Sequence, residues 1–198
     1  MNKSTNFYSQ LAKRNFLEHK KLISIIEKEN YLDKIIKISH ILSKTLSENG
    51  TIFFCGNGGS ASDANHFTAE LIGRFKKNRR SLSAISLIND SSTISCIAND
   101  FGYENVFARQ IEGLATSKDI LFVFSTSGES ENIIRALEAS NKKDIFSLGL
   151  LGKNGGKASS LASESLIIPS ESTARIQELH IIIVHILCEI IESELDID

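Results

Sequence analysis

Apolar and polar positions alternate along this chain in three distinct ways. From residue 5 to 48 the apolar residues recur three and four apart: Phe7, Leu11, Ala12, Leu22, Ile25 and Ile26, then Ile35, Ile38, Ile41, Leu42 and Leu46. That period predicts two amphipathic helices, with Asn49 and Gly50 as a C-terminal stop. From residue 51 the pattern changes. Short, β-rich apolar runs at 51–55, 82–88, 119–125, 145–151 and 165–169 are bounded by Gly, Ser, Asn or Asp. Helical periodicity fills the intervals, as in Val106, Ile111 and Leu114, or Ile133, Ile134 and Leu137. Five such runs alternating with helices predict an α/β fold with a mainly parallel sheet covered on both faces. Ligands in such folds bind beyond the carboxyl ends of the strands. Residues from Ser172 to about Leu195 read as one long helix, with Ile176, Leu179, Ile183, Ile186, Leu187 and Ile190 as apolar positions. It is apolar over much of its circumference, so it is expected to be well buried, at a subunit interface. The N-terminal pair is expected to pack on the sheet or on another subunit, a local helical hairpin being the plainer alternative.

Length and composition narrow the function classes. The 198 residues fit one domain: N-terminal helices over 1–50, an α/β core over 51–170 and a C-terminal helix over 171–198. A net charge of −2 gives no electrostatic reason to expect nucleic acid or an acidic membrane as partner. The three widely spaced cysteines, Cys55, Cys96 and Cys188, read as reduced, buried thiols of a cytoplasmic protein. The opening MNKSTNFYSQLAKRNF lacks the apolar core of a signal peptide. No stretch approaches ~18 uncharged apolar residues, so no membrane span is expected.

The candidate chemistry lies at two strand-to-helix loops and on two helices. Gly56, Asn57, Gly58, Gly59 and Ser60 follow the run 51–55. Ser125, Thr126, Ser127, Gly128, Glu129 and Ser130 follow ILFVF. Hydroxyls and free backbone N–H groups at a helix N-terminus suit a phosphate monoester; the plain alternative is helix capping. GNGGSA lacks the dinucleotide spacing and no Walker lysine follows, which favours a sugar phosphate over a nucleotide. His66 and Glu70 share a helix face at i and i+4, a spacing that suits two ligands of one metal or an acid/base pair. Asp63 and Arg74 extend that face, so a salt-bridged surface role for Glu70 is the rival. The last helix offers Gln177, His180 and His185. Gln177 and His185 lie ~80° apart around the helix and ~12 Å apart along it. Gln177 and His180 are the easier local pair, and spacing does not choose between the histidines.

Taken together, CGNGGSASDANHFTAEL, NDFGYENVFARQIE, STSGESENIIRAL and ARIQELHIIIVHILCEIIE resemble the phosphoheptose isomerase family of the sugar isomerase (SIS) domain superfamily, over residues 1 to 195. The resemblance implies a three-layer sandwich with a five-stranded parallel sheet, and a homotetramer with active sites at subunit interfaces. It implies one zinc ion per subunit, held by His66, Glu70, Gln177 and His185. Glu70 and His185 fall at the acid/base positions. Substrate contacts are implied for Asn57, Gly58, Gly59, Glu70, Asn99, Asp100, Ser125, Thr126, Ser127, Ser130 and Gln177. The implied reaction is the aldose–ketose isomerisation of sedoheptulose 7-phosphate, on the way to heptose precursors of lipopolysaccharide or capsule. Ala174 departs from the family pattern, in which the resemblance implies an aspartate in some members. The rival of a different class is a non-catalytic SIS scaffold that binds the replication initiator; a scaffold has no need of the metal constellation.

Overall fold

Five strands form one parallel sheet in a computed structural model that describes residues 3–195; positions 1–2 and 196–198 of the expected division lie outside the described residues. The strands are β1 (Ile52–Cys55), β2 (Ala84–Ser86), β3 (Ile120–Ser125), β4 (Phe146–Gly152) and β5 (Glu164–Ile168), in the order β2-β1-β3-β4-β5. Phe54 pairs with Phe122 and with Ser86, and Leu150 with Phe124 and Leu166. β1 and β3 are buried at every residue, which is why their sequences run apolar without alternation. The edge strand β2 is shorter than the apolar run 82–88. Leu82 N–H instead bonds the Leu71 carbonyl, outside the ladder, and Ile85 faces outward at 41% exposure. β5 stops at Ile168 because Pro169 has no N–H to continue the ladder.

Successive strand residues face opposite layers. Phe54, Phe122, Phe124 and Leu148 pack under α2 (Glu29–Ser47), α3 (Gly59–Ile72) and α8 (Thr173–Leu195), meeting Ile35, Leu42, Phe67, Leu71, Ile183 and Leu187. The Phe54 ring lies 4.7 Å from Phe67 and 5.6 Å from Phe122. Phe53, Leu121 and Val123 face the other layer, built by α4 (Ser91–Phe101), α5 (Ala108–Leu114), α6 (Glu131–Lys142) and the short α7 (Ala158–Leu161).

In a single chain burial is incomplete at three places, and only at Cys96 does that contradict the expectation. α1 (Lys3–Ile26) buries Leu22 and Ile26 but leaves Phe7 and Leu11 exposed. α8 buries Ile176, Leu179, Ile183 and Leu187, yet Ile186 stays exposed with Ile182 beside it, since the sheet and α2 cover only part of its circumference. Cys55 and Cys188 are buried, but Cys96 is exposed, because its helix α4 buries chiefly Ile97.

Candidate active site

The strand order reverses between β1 and β3, which lie side by side. Their carboxyl ends therefore open a crevice where the chain departs to opposite sides of the sheet. Both sequence-predicted loops sit there. Asn57, Ser60, Ser125, Thr126, Ser127 and Ser130 line one small cavity of about 40 Å³ between them. The Ser125 hydroxyl accepts from Gly128 N–H at 2.9 Å, and that of Ser127 from Glu129 N–H at 3.2 Å. Ser130 occupies the N-cap position of α6, but among the described residues its hydroxyl accepts no capping hydrogen bond. The plain capping explanation thus fails for Ser130, whose hydroxyl lines the cavity instead. Asn57 exchanges amide hydrogen bonds with Asn132 at 2.8 and 2.9 Å and accepts from the Tyr103 hydroxyl at 3.3 Å.

The second cluster forms where α3 and α8 lie side by side. His66 Nε2 is 3.0 Å from Glu70 Oε1 and 3.3 Å from His185 Nε2. The ligand atoms of all three residues lie within 4.8 Å of one another, and the side chains are half-buried. His66 Nε2 carries either one proton or one lone pair, so it cannot bond both neighbours in the same sense. A shared cation removes that conflict. Zinc bonds of about 2.0–2.1 Å in a tetrahedron set ligand atoms ~3.3 Å apart, equal to the His66–His185 separation and ~0.3 Å above the His66–Glu70 one. The donor set fits a divalent metal.

α8 thus brings His185, and not His180, to His66 and Glu70. His180 is fully buried, its Nε2 3.3 Å from the Leu151 carbonyl oxygen and its ring 6.0 Å from that of Phe124. Burial holds its pKa down at about 4, with the Leu151 carbonyl opposing. Gln177 lies elsewhere: a Cβ on Gly59 would stand 2.4 Å from its Nε2, so the amide rests on the first turn of α3. Seven residues separate Gly59 from His66, ~10 Å of helical rise. Asn99 and Asp100 sit on the exposed end of α4, bonded to each other at 2.7 Å. Asp63 is buried with one carboxylate oxygen unpaired. Burial raises its pKa to about 6, with His66 opposing. Arg74 is exposed, and the side chain facing Glu70 is that of His66.

Sequence reasoning missed five residues of this region. Tyr103 and Asn132 stood inside recognised motifs without an assigned role. Phe75 stacks on His185, with centroids 5.5 Å apart and planes at 26°. Arg79 and Glu192 form a buried ion pair at 2.9 Å. A glutamate among Leu187, Cys188 and Ile191 on the buried face of α8 was the available signal for the last.

A family model described as SIS domain matches residues 16–152. Phosphoheptose isomerase of Helicobacter pylori (strain P12) is 49% identical over 183 residues, covering 92% of this chain and 94% of that protein. Phosphoheptose isomerase 1 of Campylobacter jejuni is 46% identical, covering 92% and 97%. Among solved structures, phosphoheptose isomerase of Neisseria gonorrhoeae superposes with a TM-score of 0.88 at 34% identity, covering 94% of this chain and 99% of that one. These relatives are isomerases, which leaves the scaffold reading without support. The chain belongs to the phosphoheptose isomerase family of SIS-domain proteins.

Proposed function

We propose that the protein interconverts sedoheptulose 7-phosphate and D-glycero-D-manno-heptose 7-phosphate, an aldose–ketose isomerisation through an enediol. The observation that carries this reading is the convergence of His66, Glu70 and His185 in a chain so similar to phosphoheptose isomerases. Ser125, Thr126, Ser127 and Ser130 bind the phosphate, while Asn57, Gly58 and Gly59 hold the sugar. The helical rise from Ser60 to His66 is ~9 Å. An extended seven-carbon chain of ~1.5 Å single bonds spans a comparable distance from C2 to phosphorus. Anchoring the phosphate thus helps to place the reacting carbons beside Glu70.

His66, Glu70 and His185 would hold a zinc ion; Gln177, whose amide rests on Gly59, is the substrate contact and would join the ion as fourth ligand only on swinging along α3 toward His66. When bound, zinc polarises the carbonyl and stabilises developing oxyanion charge. Glu70 is the base that moves a proton between C1 and C2. Its Oε1 faces His66, so Oε2 is the oxygen left for the proton. That division answers the conflict between a ligand, which is a weakened base, and a catalyst. His185 relays protons to the sugar oxygens, its ring orientation held by Phe75. Asn99 and Asp100 complete the substrate contacts.

We place the enzyme in the cytoplasm, as one domain per subunit, feeding heptose precursors of lipopolysaccharide or capsule. No helix among the described residues is long and apolar enough to cross a membrane. Exposed Phe7, Tyr8, Phe16 and Leu17 on α1 support assembly into a homotetramer with active sites at subunit interfaces. The test is metal analysis of purified protein followed by incubation with sedoheptulose 7-phosphate. Bound zinc and aldose product are expected, with turnover lost on chelation and restored by zinc. Absence of both zinc and product overturns the reading.

A further inference from the structure

We propose that the buried Arg79–Glu192 pair is a positioning device for the reaction centre. It sets the register at which α8 presents His185 to His66 and Glu70 of α3. The inference rests on reading those three residues as the metal site of an isomerase.

The two helices run alongside each other in the same direction. Gln177 meets Gly59 near their starts, and His185 meets His66 midway. The third meeting point is polar. Glu192 Oε1 accepts from Phe75 N–H at 3.0 Å and Arg79 Nε at 2.9 Å, while Oε2 accepts from Lys76 and Lys77 N–H at 2.9 and 3.0 Å. Arg79 in turn donates from Nη2 to the Glu70 carbonyl oxygen at 2.7 Å and from Nη1 to that of Leu71 at 2.9 Å. The guanidinium thereby closes the last carbonyls of α3, where a cation is favoured, and one of those carbonyls belongs to Glu70 itself. Both side chains of the pair are only 2% exposed.

A buried ion pair is seldom more stabilising than apolar side chains of the same volume, and its best-attested use is to fix register. Here the register matters at ångström scale. Sliding α8 by one residue moves each side chain ~1.5 Å along the axis and ~100° around it, which would part the two Nε2 atoms now 3.3 Å apart. The clamp also reaches the imidazole by a second route. The backbone of Phe75 is tied to Glu192, and its ring lies on His185.

The test compares Glu192→Gln and Phe75→Leu with wild type, reading zinc affinity of the chelator-stripped protein against a chromophoric competitor, then kcat, KM and thermal midpoint. A neutral amide cannot accept from four donors, so Glu192→Gln should weaken zinc binding tenfold or more, in the range of lost outer-shell partners. kcat should fall while KM changes little, because the seryl loop is untouched. Phe75→Leu should weaken zinc binding in the same direction with little change in thermal midpoint, and it decides the matter if Glu192→Gln does not fold. Unchanged zinc affinity and kcat in the folded variants, or no measurable zinc binding by the wild type, overturns the proposal. Wild-type protein that binds zinc but leaves sedoheptulose 7-phosphate unchanged overturns the isomerase reading instead, and the zinc affinities still decide the clamp.

Discussion

Replacing Gly128 by alanine should weaken sugar-phosphate binding far more than a surface change of one methyl group would suggest. Gly128 lies in the middle of the seryl loop with φ at 69°, and its carbonyl oxygen accepts from Ala158 N–H at 2.9 Å. A Cβ at this position would stand 1.9 Å from the Gly155 carbonyl oxygen and 2.5 Å from its carbon. Carbon–oxygen contacts settle at about 3.3 Å or more, so the two loops must part by ~1.4 Å. The obstacle is backbone, so a side-chain rotation does not relieve it. The left-handed φ adds about 1–2 kcal/mol for a residue with a Cβ. A displacement of that size at Ser127 is of the order that can cost ~10²-fold in a positioned reaction. We expect KM for sedoheptulose 7-phosphate to rise at least tenfold in steady-state kinetics, with a lower thermal midpoint. Gly113→Ala in α5 is the control. Nothing lies within 4 Å of its added Cβ, so both quantities should hold. Wild-type KM and stability in Gly128→Ala would refute the crossing of the loops as the brace. Lost stability with unchanged KM would place the phosphate elsewhere.

Glu70→Gln should abolish isomerisation while sugar-phosphate binding and oligomer mass stay close to wild type. Near wild-type turnover would exclude Glu70 as the base. Gly59→Ala should fold normally, because the added Cβ meets only the flexible end of Gln177, yet turnover should fall at least fivefold on the order of one lost polar contact; unchanged kcat/KM would remove Gln177 from the site. Between pH 4 and 6.5 two buried groups act with opposite sign. Folded His180, with its pKa near 4, binds fewer protons than the unfolded chain, so its contribution rises with pH. Folded Asp63, with its pKa raised from 3.8 to about 6, binds more, so its contribution falls as pH rises. Each effect amounts to about 3 kcal/mol, so they nearly cancel in the wild type. Asp63→Asn, in metal-free protein, should therefore lose about 3 kcal/mol more than wild type between pH 6.5 and 4 by urea unfolding; parallel curves would refute this.

The sheet was legible because central strands covered on both faces are written as unbroken apolar runs, and β1 and β3 lie within a residue of their expected spans. β2 was overdrawn because burial continues at Leu82 and Leu87, on either side of the strand residues Ala84–Ser86. His66, Glu70 and the seryl loop were readable locally, since their relations span four to six residues. The choice of His185 over His180 was not. The two lie ~140° apart around one helix, and only the docking of α8 decides which faces α3. Glu192 was beyond local reading because its partners lie 113–117 residues away in the chain. Ile186 read as a buried apolar position of α8, yet a single chain leaves it exposed with Ile182 beside it.

The meeting of His66 and His185 across 119 residues has a consequence for assembly. Before α8 docks, α3 can offer a metal only the His66–Glu70 pair, which is half of a tetrahedral shell. α8 packs on the sheet over the layer that also buries Phe122 and Leu148. The third ligand is therefore expected to arrive only once β3 and β4 have paired. Closing so long a loop is favoured only once the core it completes is in place. Metal uptake by a refolding chain should then lag behind secondary structure and coincide with the last burial of apolar surface. A bound metal would then mark completion of the fold, and a chain halted short of α8 should be unable to start the chemistry.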